Sequence, residues 1–257
     1  MKKVLFLSIC LIVVSIFVIP ELAFAKVKEQ KVDKGPISKK VFIHYKKPRG
    51  KPDNPGKKPK PPTDDEGSYT YIANGMKWKT HEDYIFNPEG LPDSYTVAIS
   101  YAMDAWDDEV ESFSIFGSLG EDDSATVDED IDEDNVIVFA NLDDFTWINI
   151  GDSSNVIAVT IVWGSFNAPP RFREIVEVDM IFNTGSTWEW GHADDEGDPE
   201  MDVLNIATHE MGHAAGMGDL YDASASDETM FGLSSTGEIK KRDLHIGDIA
   251  GIQNLYE

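Results

Sequence analysis

The chain has 257 residues, 47 Asp and Glu against 22 Lys and Arg, and a net charge of −25. So acidic a protein fits no nucleic-acid partner, because its field repels a phosphate backbone. The single cysteine, Cys10, excludes a disulfide framework.

Lys2 and Lys3 precede an apolar run from Val4 to Ile19, and Ala23-Phe24-Ala25 follows as a small-x-small cleavage site. Residues 1–25 therefore read as a secretory signal peptide, too short in its apolar run for a membrane span. Cleavage after Ala25 removes Cys10, so a secreted, extracellular protein without thiols and without a membrane partner is expected. Residues 26–60 carry 13 basic residues against 3 acids, net +10, whereas residues 61–257 carry 7 against 43, net −36. The basic, proline-rich stretch up to residue 67 is expected to be extended or disordered. It suits a solvated linker, a pro-segment lying over the cleft of an acidic domain, or an electrostatic tether to a polyanionic surface. Residues 68–257 suit one domain with its own core.

Within that domain, Tyr69 to Ile72 and Lys77 to Trp78 flank Asn74-Gly75 and suggest a strand pair. Tyr95 to Val110 has helical spacing, with Val97, Ala98, Tyr101, Ala105 and Trp106 on one face. Val136 to Ala140 and Val156 to Trp163 are short apolar runs that read as buried strands. Ile175 to Phe182 alternates apolar and acidic residues, as a strand with one wetted face does. Asp198-Pro199 resembles a helix start, and a last helix is expected from about Leu244 to Leu255. Strands mostly first and helices mostly later indicate an α+β domain. Two acid clusters, Asp122-Asp123 with Asp128 to Asp134 and Asp194-Asp195-Glu196 with Asp198, offer oxygen ligands for structural calcium or are solvated loops. His192 with Asp194 suggests a second zinc or a plain surface histidine.

The most informative stretch is His209-Glu210-Met211-Gly212-His213-Ala214-Ala215-Gly216-Met217-Gly218-Asp219. On a helix, His209 and His213 project from one face a turn apart, so both imidazoles can bind one zinc ion. Glu210 sits beside them as a general base for a metal-activated water. Gly216 can take the left-handed conformation that ends a helix and turns Asp219 back as the third ligand. Val203, Ile206, Ala207, Met211 and Ala214 can face a core while the histidines face a cleft.

This H-E-x-x-H-x-x-G-x-x-D motif resembles the extended zinc motif of the metzincin metalloproteases, the matrixin-like group in particular. Most members place a histidine where this chain has Asp219, and the aspartate is similar to the variant of snapalysin-type enzymes. Glu228-Thr229-Met230-Phe231-Gly232 is similar to the Met-turn, which assigns Met230 a supporting place under the metal. Gly247 to Tyr256 resembles the last matrixin helix, and Glu177 to Asn183 the strand before the active-site helix. Pro48-Arg49-Gly50-Lys51-Pro52-Asp53 is faintly similar to the pro-segment switch of that family but lacks its cysteine, which excludes thiol-controlled latency. The resemblance implies a zincin catalytic domain: a twisted mixed sheet, an active-site helix and a C-terminal helix. It further implies a monomeric zinc endopeptidase acting on protein or peptide substrates.

Two neutral imidazoles and one carboxylate leave a divalent zinc site at net +1, where three imidazoles leave +2. A higher pH optimum than that of a three-histidine site is expected. Tyr221 is a candidate oxyanion donor or a packed ring. Substrate is expected to lie extended along an edge strand at residues 156–162, with residues 231–242 as the specificity wall. The competing readings are an acidic binding module with an idle motif and a hydrolase of non-peptide amides.

Overall fold

A computed structural model describes residues 36–47, 67–194 and 198–257, all within the unit Lys34–Glu257. The leader and the Pro48–Asp53 stretch lie outside these residues. Nine strands and three α-helices are described: β1 (Ser38–Lys46), β2 (Glu82–Phe86), α1 (Asp93–Asp107), β3 (Phe116–Glu121), β4 (Val136–Ala140), β5 (Val156–Gly164), β6 (Ile175–Asn183), β7 (Trp190–Gly191), β8 (Met201–Asp202), α2 (Val203–Ala214), β9 (Leu233–Ser234) and α3 (Ile246–Tyr256). Seven strands form one sheet in the order β3-β2-β4-β6-β5-β1-β9, and β7 pairs with β8 separately.

The first four strands of that order run parallel, β5 is antiparallel to β6, and β1 is antiparallel to β5. Parallel neighbours need a long crossover, and α1 supplies it between β2 and β3. Alternation along β5 divides the core. Ala158 and Val162 join α1 and α2 in the larger cluster, while Val159, Ile161 and Trp163 join a smaller cluster on the opposite face. Thr160, between Ala158 and Val162, shares the helix-facing side and is buried there. This mixed architecture agrees with the expected zincin-like class.

Four local expectations are corrected. Residues 69–78 do not pair across Asn74-Gly75. Tyr71 bridges Met217 and Lys77 bridges Glu174, and the intervening turn carries positive φ at Ala73, Asn74 and Gly75. In α1 the buried face is Tyr95, Ala98, Ile99, Ala102, Met103 and Trp106, leaving Val97 and Tyr101 exposed. The helix is rotated so that its aromatic and Met side chains, rather than Val97, meet α2. The start of α2 lies at Asp202, whose carboxylate accepts from Asn205 N–H at 2.7 Å, and not at Asp198-Pro199. Last, the basic stretch contains a regular strand, β1.

A fifth concerns β6. Glu177 and Asp179 were expected on a wetted face, yet both are buried. The loop before β4 folds over them: Glu177 Oε2 accepts from the N–H groups of Asp132 and Glu133, and Asp179 Oδ1 from Val136 N–H at 3.1 Å. Burial pushes the Asp179 carboxyl up to about 8. A raised folded pKa favours the neutral acid, so this contribution to stability is complete below about 4 and is lost as pH rises through about 8. Asp179→Asn should therefore raise the melting temperature at pH 8 by about 5 °C and leave it nearly unchanged at pH 4. Thermal scans at the two pH values check this, and an equal shift at both would sink it.

Candidate active site

Helix α2 is buried along almost its whole length, which is unusual for a helix carrying two His and a Glu. Its register is fixed by packing and by hydrogen bonds from indoles. Trp106 Nε1 donates to Thr208 O at 2.8 Å and Trp78 Nε1 donates to Ala214 O at 2.9 Å. Gly212, inside the motif, leaves room that a side chain would take away. A Cβ there would lie 2.2 Å from Met230 Sδ and 2.6 Å from Trp106. Met230, fully buried, thus packs directly beneath the helix turn that separates the two histidines.

The chain leaves α2 through Gly216 at φ 100°, the left-handed turn expected of it. A Cβ at Gly216 would also meet Met76 O at 2.4 Å, so glycine is needed twice over. The turn is tied down by Gly218 N–H to Thr70 O and Leu220 N–H to Met230 O. It returns Asp219 to the histidines, with Oδ1 3.3 Å from His209 Nε2 and 3.4 Å from His213 Nε2.

The tautomers follow from the second ring nitrogens. His209 Nδ1–H donates to Thr229 O at 2.7 Å, and His213 Nδ1–H donates to Met217 O at 3.0 Å. Both Nε2 lone pairs therefore face Asp219. This is the arrangement in which a histidine's outer hydrogen bond orients a metal ligand. His209 Nε2 and Asp219 Oδ1 are buried without a hydrogen-bond partner, a costly state for polar atoms unless a cation joins them. The donor atoms of His209, His213 and Asp219 all lie within 4.8 Å of one another. Two imidazoles and a carboxylate so gathered fit zinc.

The electrostatics point the same way. Burial pushes the Asp219 carboxyl up, but the two flanking imidazoles outweigh it and hold the group below the usual carboxylate range. Burial, with the Lys241 cation, lowers His209 to about 4. Burial also lowers His213, but Asp219 and Glu210 overcome it and leave that imidazole raised. A proton and a metal ion compete for this pocket, so acid should expel the metal. Glu210 is buried beside it and is pushed up to about 7 by desolvation.

Four residues that sequence reasoning did not single out complete the site. Thr160 of β5 donates its hydroxyl to Glu210 Oε2 at 2.5 Å. His44 of β1 contacts Glu210 Oε1 through Nδ1 at 3.0 Å. Lys241 is fully buried, donates to Phe231 O and Leu233 O, and is lowered to about 8 by burial. Asp248, at the start of α3, accepts from Thr229 N–H at 2.6 Å and Met230 N–H at 3.1 Å. It thereby clamps the turn whose Thr229 carbonyl orients His209. An acid in the first turn of a predicted helix was the available signal for Asp248. Tyr221 donates its hydroxyl to Asp219 Oδ2 at 3.2 Å and so braces the carboxylate.

The accessory sites fare differently. His192 bonds Ser94 Oγ at 2.9 Å and lies edge-on to Tyr95. Among the described residues, groups of three or more metal-ligating side chains occur only around α2; the second acid cluster lies partly outside the described residues.

The family model described as Matrixin matches residues 94–257 of this chain. No curated protein sequence matches it.

Proposed function

The chain belongs to the matrixin family and is a zinc metalloendopeptidase, a hydrolase of protein or peptide substrates; from that premise we propose how its own residues divide the work. His209, His213 and Asp219 hold the catalytic zinc, Glu210 is the general base, and Met230 supports the site from below. The observation that carries this reading is the convergence on one point of two imidazole Nε2 atoms, that of His209 buried without a partner, and an unpartnered buried carboxylate oxygen.

When bound, zinc supplies Lewis acidity that polarises a scissile carbonyl and makes water a better nucleophile near neutral pH. Glu210 takes the proton of the attacking water and passes it to the departing amine. Thr160 and the buried surroundings hold that carboxylate in place, and desolvation raises its basicity toward the pH at which it works. The Thr229 and Met217 carbonyls keep the two imidazoles in the tautomer that offers Nε2. β5 is not a free edge here, since β6 and β1 pair with its two sides; substrate pairs backbone to backbone with β5, over Glu210, on the side that β1 takes.

In the same reading residues 1–25 direct secretion, residues 26–67 form a basic pro-segment or linker, and residues 68–257 are the catalytic domain, working as an extracellular monomer. No helix among the described residues is long and apolar enough to cross a membrane. Calcium at the acid clusters is not part of this proposal. The test is metal analysis joined to proteolysis. Purified protein should hold one equivalent of zinc, and its hydrolysis of casein should stop on chelation and return with zinc. Protein that hydrolyses casein equally well after zinc removal would refute the assignment.

A further inference from the structure

Strand β1 lies where a substrate would. It pairs with β5 from Ser38 opposite Gly164 to Tyr45 opposite Val156, which is the whole edge offered for backbone pairing. On its other side Tyr45 and Lys46 pair with Leu233 and Ser234 of β9, which lie within the expected specificity wall. Its side chains alternate. Val41 and Ile43 pack on the smaller core cluster, while Phe42 and His44 point at α2.

Those two rings cover the site. Phe42 stacks on His213 with centroids 4.5 Å apart, and the His44 ring lies 3.9 Å from that of His209. His44 is only 1% exposed, and its other nitrogen, Nε2, meets Ser234 Oγ at 3.1 Å. With His44 on Oε1 and Thr160 on Oε2, each carboxylate oxygen of Glu210 has a partner, and a water approaching Oε1 must compete with the His44 ring. The lysines that read as solvated charge serve as fastenings. Lys39 lies over Trp147 and Trp163 at 4.3 and 4.9 Å, Lys40 over Phe166 at 4.7 Å, and Lys46 over Trp188 at 4.9 Å.

We propose that Ser38–Lys46 is an intramolecular plug that occupies the substrate cleft as an added strand, with His44 locking Glu210 in the absence of any cysteine. The inference rests on the peptidase reading of the same site. Opening the enzyme then requires the strand to leave, whether by cleavage elsewhere in the chain or by competition with substrate.

The test uses the full-length, zinc-loaded protein. In an antiparallel strand, one of any two consecutive N–H groups belongs to the ladder with a given neighbour, so Phe42→Pro combined with Ile43→Pro must break the pairing with β5. Casein hydrolysis should then rise at least about tenfold, since the competing occupant is no longer held at high local concentration. Amide exchange across Val156–Gly164 should become fast, and a synthetic peptide of residues 36–47 added in trans should reverse both changes. His44→Ala removes the contacts that tie the strand to Glu210 and Ser234 while leaving its backbone able to pair, so it should raise hydrolysis by less than the proline pair and speed β5 exchange in proportion. Equal hydrolysis by wild type and both variants, or unchanged β5 exchange in the proline variant, overturns the plug. Should no form hydrolyse casein while β5 loses and regains protection as described, the peptidase reading falls and the occupancy of the cleft by β1 stands.

Discussion

Glu210→Gln is expected to retain stoichiometric zinc and to lose about three orders of magnitude in casein turnover, the range general-base catalysis supplies. The substitution preserves volume, and the amide oxygen can still accept from the Thr160 hydroxyl 2.5 Å from the present carboxylate. What it removes is the ability to take a proton. The loss should appear in kcat rather than KM, because Glu210 sits below the strand edge that substrate pairs with and contributes nothing to backbone recognition. Measuring it in the Phe42→Pro/Ile43→Pro background separates the base from the lock, since His44 has by then left its carboxylate. A pH dependence accompanies the effect. Glu210 must be deprotonated to act, and burial raises it to about 7, so activity of the unsubstituted protein should climb with pH up to about neutrality. A nearby cation favours the carboxylate form and can only move that limb down. Turnover within threefold of the parent would sink the role.

How much of this was legible beforehand depends on whether the determining contact is local in sequence. The motif helix was legible because His209 and His213 need only a helical turn to share a face, and Gly216 only a left-handed φ to reverse the chain. The sheet strands β4 and β5 were legible as apolar runs of the right length, and β6 as an alternating stretch. Failures cluster where a partner lies far away. Ser38–Lys46 has only Val41, Phe42 and Ile43 as an apolar run between lysines, and its pairing with β5 spans more than a hundred residues. Nothing local says that those lysine stems will lie on indole and phenyl rings. Glu177 and Asp179 were read as wet because charge was taken for exposure, whereas backbone N–H groups of the 132–136 loop satisfy them. The helix start went to Asp198-Pro199 because proline is a strong local cue. Asp202 won through a tertiary partner, Arg242, which binds both its carboxylate oxygens and anchors the cap.

Asp219→Ala should weaken zinc binding by about three orders of magnitude, because a site of three protein ligands is reduced to two and the only anionic one is removed. Competition with a chromophoric chelator measures the change, and undiminished affinity would remove Asp219 from the ligand set. Asp219→His is the more discriminating variant. An imidazole restores a third donor, but it is longer than the carboxylate. The Met217–Leu220 turn is pinned by Gly218 N–H to Thr70 O and Leu220 N–H to Met230 O, so the ring must fit into a space sized for aspartate. It also loses the brace from the Tyr221 hydroxyl to Asp219 Oδ2. Affinity should therefore fall between those of the parent and the alanine variant. The charge argument then acts on whatever metal is held. With aspartate the site carries net +1, with histidine net +2, and the more positive site makes the attacking water more acidic. The activity–pH profile of Asp219→His should consequently shift to lower pH, even though its maximal rate is reduced by the poorer fit. A profile that stays in place, measured on protein shown to contain zinc, would mean that the carboxylate was selected for its length within this turn and not for its charge.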